Sequence, residues 1–386
     1  MRKPNFDKLA ASLKGMSSMR PMGFPLAIEF GVGSMKVLQL APGDTPSIVS
    51  ASQLDTPEDL LENTAKRLSF QMEALPRVIR KGRFKTNRAV CSVPAAQMVC
   101  KPVQIVPSSD IPIDKLAASA LGSQLKCDPE ALLVRCRSVE GAMPGGKQEV
   151  VCFAAARDFV ARLMGALKAA KLEPVGIHNE FQTALRSIDS ISTPGQTMTE
   201  TTGAASLVLD LGVGATKAMI VHGTKLVFAR SIEMGSRHFD DEIIEQMDCT
   251  RAEATRIRLG LARLVPQHAA VGAGSDERDT SSGGHGEPDL TEPLEILGDE
   301  ISMCLRYHRN LFPDQPVEKV VFLGGQSRQR LVCEHLARVL RLSAQSVDPL
   351  ARLARSGKVP SEGVDLTAAQ PGWAVPVGMC LSPTDL

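Results

Sequence analysis

Two short segments of the chain place a carboxylate, two glycines and a lysine at the same spacing. Residues 26–40 read LAIEFGVGSMKVLQL, and residues 207–221, 181 positions later, read LVLDLGVGATKAMIV. In each, an apolar strand delivers an acid (Glu29, Asp210). Gly-Val-Gly follows (Gly31 and Gly33; Gly212 and Gly214), and a lysine (Lys36, Lys217) enters a second apolar strand. Glycine permits positive φ in a turn and lets backbone N–H groups approach a ligand, so each hairpin could form an anion nest. Two such nests facing one another would grip a polyphosphate from both sides. The paired acids suit Mg2+, which keeps most of its waters and takes one or two carboxylates beside phosphates. One copy alone reads most simply as a glycine turn; the repetition, with acid and lysine in register, is what argues for a site. Lys217 has a second reading as a solvated strand residue, because strand side chains alternate faces.

A repeat at this spacing is too long for a solenoid and fits two similar halves of one molecule. A third element of the same kind follows: an apolar strand at 319–323, then Gly324-Gly325, then a helix over 328–340. There a tight turn would let backbone lie against a ligand at a helix N-terminus.

The elements that must position these loops follow from periodicity. A helix is expected over 57–79, with Leu60, Leu61, Thr64, Leu68, Met72 and Leu75 on its buried side. Residues 88–177 read as a compact α+β unit inserted into a larger domain, with strands at 89–93, 99–105, 132–138 and 149–155 and helices at 113–125 and 158–170. The stretch 190–203, SISTPGQTMTETTG, reads as a linker between halves. A third strand at 225–231 follows the second hairpin, then helices at 236–247 and 251–264, a Gly/Ser/Asp-rich loop at 268–290, and a helix at 293–311. Residues 1–24 form a basic extension in which Phe6, Leu9, Leu13, Met16 and Met19 draw an apolar stripe if helical, suited to an anionic membrane or a partner; a frayed tail is the plainer reading.

With 386 residues the chain has room for two or three domains. A net charge of +1 gives no electrostatic footprint for nucleic acid. The nine cysteines show no CxxC or Cys/His pairing at zinc spacing, which fits reduced thiols. No apolar run approaches a membrane span and the N-terminus lacks a signal-peptide core, so a soluble, cytoplasmic protein is expected.

The order of elements resembles the actin-like nucleotide-binding family. Glu29–Lys36 is similar to its first phosphate hairpin, Asp210–Lys217 to its second, and Gly324-Gly325 to its adenosine loop. Ala252-Glu253, Arg256 and Gly260 resemble the A-E-x-x-K-x-x-x-G helix whose acid and lysine approach ribose and base. Glu180 sits where the family orients an attacking water. Within the family, RAVCSVPAAQMVCKPVQIVP, LKAAKLEPVGIHNEFQTALRSI and EILGDEISMCLRYHRNLFPDQPVEKVVFLGG resemble the PilM-like branch of type IV pilus assembly. The ending GWAVPVGMCLSPTDL resembles that branch too, whereas the FtsA-like branch would be expected to end in an amphipathic membrane helix.

The resemblance implies a duplicated two-domain α/β fold: domain I from 25–87, an inserted subdomain at 88–177, a return and linker at 178–203, domain II at 204–370, and a closing segment at 371–386. It implies ATP or ADP with Mg2+. Gly31, Gly33, Ser34, Lys36, Gly212, Gly214 and Thr216 would hold phosphates, and Glu253, Arg256, Gly324 and Gly325 the nucleoside. Asp210 and Glu29 would orient the metal's waters, and Glu180 with Glu29 would serve any slow ATPase chemistry. It further implies a switch that docks the N-terminal cytoplasmic peptide of a PilN-like inner-membrane protein at the inserted subdomain, on the inner face of the membrane. Pilus motor or platform components and self-association are further contacts it suggests. The family's first hairpin usually carries Asp where this chain has Glu29, its helix Lys where this chain has Arg256, and aromatic and proline residues where this chain has Ser123–Asp128. A filament-forming cytoskeletal protein and a nucleotide-free scaffold are the competing readings; a sugar or acid kinase would need an acceptor-side base, for which no motif is present.

Overall fold

The computed structural model describes residues 23–139, 146–189, 205–261, 287–355 and 357–382. The linker at 190–203 and nearly all of the basic extension and the 268–290 loop lie outside the described residues.

The first half begins with three antiparallel strands, β1 (Leu26–Phe30), β2 (Ser34–Ala41) and β3 (Ser47–Asp55), followed by α1 (Thr64–Lys81) and β4 (Arg88–Val93). Next come β5 (Met98–Ile105), α2 (Ile113–Leu125), β6 (Leu132–Ser138) and β7 (Gln148–Ala156). The half closes with α3 (Arg157–Ala169), β8 (Glu173–Asn179) and α4 (Glu180–Asp189). The second half repeats the plan: β9 (Ala205–Leu211), β10 (Thr216–His222), β11 (Lys225–Ile232), then α5 (Ser236–Met247), α6 (Arg251–Gly260) and α7 (Thr291–Leu311). It ends with β12 (Val317–Leu323), α8 (Arg330–Leu340) and β13 (Ser343–Ser346), after which β14 (Ser361–Glu362) and α9 (Ala374–Cys380) return to the first half.

The duplication seen in two hairpins extends to whole sheets. Strand order is β14-β3-β2-β1-β4-β8 in one and β11-β10-β9-β12-β13 in the other. In both, the first three strands of the half pair antiparallel and the next two join parallel. One face of the first sheet is covered by α1 and α3, through Leu68, Leu75, Leu163 and Leu167. Its other face joins α4, α9 and the second half in one continuous core. There α9 lies so close to α4 that a Cβ at Gly378 would overlap the Thr183 carbonyl.

The inserted unit is narrower than 88–177. Its three-stranded sheet, β5-β7-β6, draws on residues 98–156 alone, with α2 packed on it. The strands at either end, β4 and β8, pair in the first half's main sheet, and α3 supplies that half's core. An apolar strand buried on both faces, as β4 is, reads alike in either sheet, and β8 has too few apolar residues to read as a strand at all. The second half is not continuous to 370 either, since β14 pairs with β3 and Ile48 N donates to Ala354 O.

α1 starts later than expected, where the Asn63 side chain accepts from Lys66 N at 3.0 Å. The 57–79 pattern merged this helix with a preceding short turn. The observed buried face therefore carries Arg67 and Gln71 beside Leu68, Leu75 and Val78. Among the described residues no helix is long and apolar enough to cross a membrane.

Candidate functional site: a cleft between the two hairpins

Register puts each acid opposite its lysine. Glu29 faces Lys36 across β1 and β2, and Asp210 faces Lys217 across β9 and β10, so each pair shares one face of its sheet. Lys36 Nζ lies 3.0 Å from Glu29 Oε2. Lys217 Nζ lies 2.8 Å from Asp210 Oδ2 and also 2.8 Å from Glu180 Oε2, in the other half. All three acids and Lys217 are buried; Lys217 is not a solvated strand residue. Burial alone would lower the pKa of Lys217, but Asp210, Glu180 and Glu29 together hold it above its ordinary value. Burial raises the pKa of Glu29, Lys36 opposes that, and Glu180 adds to it.

The hairpin tips interlock. A Cβ on Gly33 would sit 2.7 Å from Val213 Cγ2, and one on Gly214 would sit 3.1 Å from Val32 Cγ2. Each loop's valine thus packs on the other loop's glycine. None of the four tip glycines takes positive φ; close approach, not the left-handed turn expected from sequence, requires them. The tip carbonyls are tied into their own halves: Gln71 Nε2 donates to Gly31 O at 2.8 Å, Thr56 N to Gly33 O at 3.0 Å, and Arg237 N to Val213 O at 3.0 Å. Gly324 does take positive φ, +88°, and its missing Cβ would fall 2.5 Å from Asp210 Oδ1. That fits the third glycine element tightly over the second hairpin.

Between these elements is a cavity of about 880 Å³, within the range of small-molecule and cofactor sites. Glu29, Gly31, Gly33, Ser34, Lys36, Glu180, Asp210, Gly212, Gly214, Gly324 and Gly325 all line it.

No protein-family model matches the sequence, and comparison with curated proteins gives no match. Among solved structures, the PilM–PilN type IV pilus biogenesis complex is similar with TM-score 0.71 at 18% identity, over 94% of this chain and 98% of that chain. The ethanolamine utilization protein EutJ of Carboxydothermus hydrogenoformans aligns with TM-score 0.46 at 12% identity, over 96% and 93% of the two chains. MreB5 of Spiroplasma citri bound to AMPPNP aligns with TM-score 0.47 at 13% identity, over 94% and 96%. The fold is actin-like. The expected duplicated α/β architecture is therefore present, as the matching strand orders of the two sheets require.

Three expected residues lie outside the actin-like cleft. The Thr216 hydroxyl donates to Met234 O at 2.8 Å instead of facing the cavity. Glu253 caps α6, its Oε2 accepting from Thr250 N at 2.9 Å and Thr250 Oγ1 at 2.7 Å, which places its pKa below the ordinary value. The motif T-R-A-E is a capping box, and that local use wins. Arg256 is exposed. The buried arginine of this helix is Arg258, whose Nε donates to Asp240 Oδ1 at 2.7 Å and whose Nη1 donates to Gln326 at 2.9 Å, bracing the turn after Gly324.

Sequence reasoning also missed residues that line the cleft. Arg67 projects from α1 and Arg237 from the start of α5. Burial, and secondly the charge of Arg237, hold the pKa of Arg67 below its ordinary value. Trp373, the only tryptophan, lines the cavity beside Gly324 and Gly325. Arg67 Nε and Trp373 Nε1 are buried without a hydrogen-bond partner. The signal for Arg67 was its four-residue spacing from Gln71 on an otherwise apolar face; for Arg237 and Trp373 sequence offered none.

A nucleotide fits this lining: the glycine backbone of both hairpin tips borders the cavity together with the cationic side chains of Lys36, Arg67 and Arg237. A divalent metal does not. Both acids assigned to it, Asp210 and Glu29, are bonded to lysines, and among the described residues no group of three or more His, Cys, Asp or Glu could hold a metal ion.

Proposed function

We propose that the chain binds ATP or ADP in the actin-like cleft and uses nucleotide occupancy to control docking of a partner on the inserted three-stranded sheet. The observation that carries this reading is the interlocked, duplicated pair of acid–lysine hairpins around the cavity. Backbone at Gly31–Ser34 and Gly212–Ala215 would hold the phosphates, Lys36 and Arg237 would add positive charge, and Gly324, Gly325 and Trp373 would hold the nucleoside, all of them lining the cavity. Positioning and charge neutralisation suffice for binding. Glu180 is the candidate to orient water in any slow hydrolysis.

A ligand switches a protein only through its differential affinity for two arrangements. The inserted sheet touches both halves. Phe153 of β7 packs on Phe181, ring centroids 5.6 Å apart, and Phe181 follows Glu180, the partner of Lys217. On the other side, Tyr307 of α7 donates to Glu149 of β7. A change in the relation of the halves would therefore reach the sheet at two points. The partner favoured is the N-terminal cytoplasmic peptide of a PilN-like inner-membrane protein, which would bring this chain to the inner face of the membrane. Val106, Ile111 and Leu125, exposed apolar side chains on the inserted unit, suit such a peptide.

The test is fluorescence anisotropy of that labelled peptide, with and without ATP. The reading expects saturable binding whose affinity changes about fivefold or more with nucleotide, the usual scale of allosteric coupling. Binding indifferent to nucleotide removes the switch; no binding removes the partner.

A further inference from the structure

Three carboxylates from three elements, Glu29, Asp210 and Glu180, line the cleft without forming a group that could hold a metal ion. Their charge is already met. Glu29 Oε2 is 3.0 Å from Lys36 Nζ, and Asp210 Oδ2 and Glu180 Oε2 are each 2.8 Å from Lys217 Nζ. We propose that Lys217 is the resident cation of the cleft: its ammonium, shared by Asp210 of one half and Glu180 of the other, replaces a divalent metal, so that polyphosphate binds without Mg2+.

The geometry of Lys217 supports this in three ways. The side chain is buried on a strand hydrogen-bonded between β9 and β11, and its ammonium lies 2.8 Å from both Asp210 Oδ2 and Glu180 Oε2. It joins acids of two separate halves, as a bridging metal would. An ammonium also has three N–H donors; two point to Asp210 and Glu180, and Lys217 lines the cavity, so the third can meet a phosphate oxygen. Mg2+ requires near-ideal octahedral oxygen ligation. It would have to displace a buried lysine from both carboxylates.

This inference rests on the nucleotide reading above, and one experiment separates the two. Melting of the full chain is recorded with ADP and with ATP, in EDTA and in millimolar MgCl2. The expected result is stabilisation in EDTA matching that in Mg2+, with apparent affinities within about twofold. Stabilisation that needs Mg2+, with affinity falling about tenfold or more in EDTA, overturns the lysine cation and leaves nucleotide binding intact. No stabilisation in either buffer overturns both. Direct titration with Mn2+, without nucleotide, adds a metal readout: the wild-type chain should give no heat, and K217M, which frees two acids, should gain a site. K217R keeps the charge and should remain Mg2+-independent, which preserves the test if K217M does not fold. Mn2+ binding to the wild-type chain contradicts the proposal.

Discussion

Lys217 bonds Glu180 across the two halves of the molecule, with the two side chains buried and 2.8 Å apart. Removing one partner of a buried pair leaves an uncompensated charge, so Lys217→Met should cost about 3–5 kcal/mol of stability. In the double variant Lys217→Met/Glu180→Gln the cost should be less than the sum of the single changes, because one of the two orphaned acids is gone. Urea denaturation of all four forms measures this; strict additivity would mean the two groups do not interact.

The interlocked tips make a steric prediction. Gly33→Ala sets a methyl 2.7 Å from Val213 Cγ2, which should cost about 1–3 kcal/mol by overpacking and push the hairpins apart. Gly165→Ala, in the interior of α3 with nothing within 4 Å, is the control. It should stabilise by about 0.5–1 kcal/mol through helix propensity. Thermal melts of both read the sign directly.

An acid limb of stability should trace to a histidine pair. His222 Nε2 and His308 Nε2 are 2.7 Å apart beside Phe312. Burial and the neighbouring imidazole depress the pKa of His308 from 6.5 to about 4, and burial depresses that of His222. The folded state thus binds fewer protons than the unfolded state, so this contribution is full above pH 6.5 and lost as pH falls toward 4. Allowing for partial solvation, it amounts to about 1–2 kcal/mol. His308→Gln should flatten the urea midpoint between those pH values; an unchanged slope would rule the pair out.

Tyr307 is the only tyrosine, so its ionisation can be followed alone by ultraviolet absorbance. Burial, then its bond to the Glu149 carboxylate, raises its pKa above 10. The native chain should therefore ionise later than the urea-unfolded chain, and stability should fall at strongly alkaline pH. Glu149→Gln should bring the native titration back toward the unfolded one.

Much of the cleft was legible because its message was local and repeated. The two acid–glycine–lysine segments read as hairpins, and register alone then set Glu29 against Lys36 and Asp210 against Lys217. What sequence could not supply was tertiary. Glu180 and Lys217 are 37 positions apart and meet only because the start of α4 faces the second hairpin across the cleft. Arg67 was hidden because a polar residue on a helix face reads as solvent-facing until the tertiary structure buries it; here it is buried and donates to Leu61 O. Glu253 misled for the opposite reason: its spacing from Thr250 satisfied a local capping rule as well as a distant family motif. The inserted unit was drawn too wide because β4 has the apolar character of any strand buried on both faces, while β8, EPVGIHN and mostly half-buried, carries too weak a strand signal to be recognised.

The central claim is nucleotide binding between the hairpins, and melting with ATP tests it most directly. Ligand at about a hundred times its dissociation constant should stabilise the wild-type chain by about 2.7 kcal/mol, seen as a rise in Tm. Asp210→Ala, which removes the acid that bonds Lys217 and packs against Gly324, should abolish that rise. An unchanged wild-type Tm at millimolar ATP, or an equal rise in Asp210→Ala, would contradict the account.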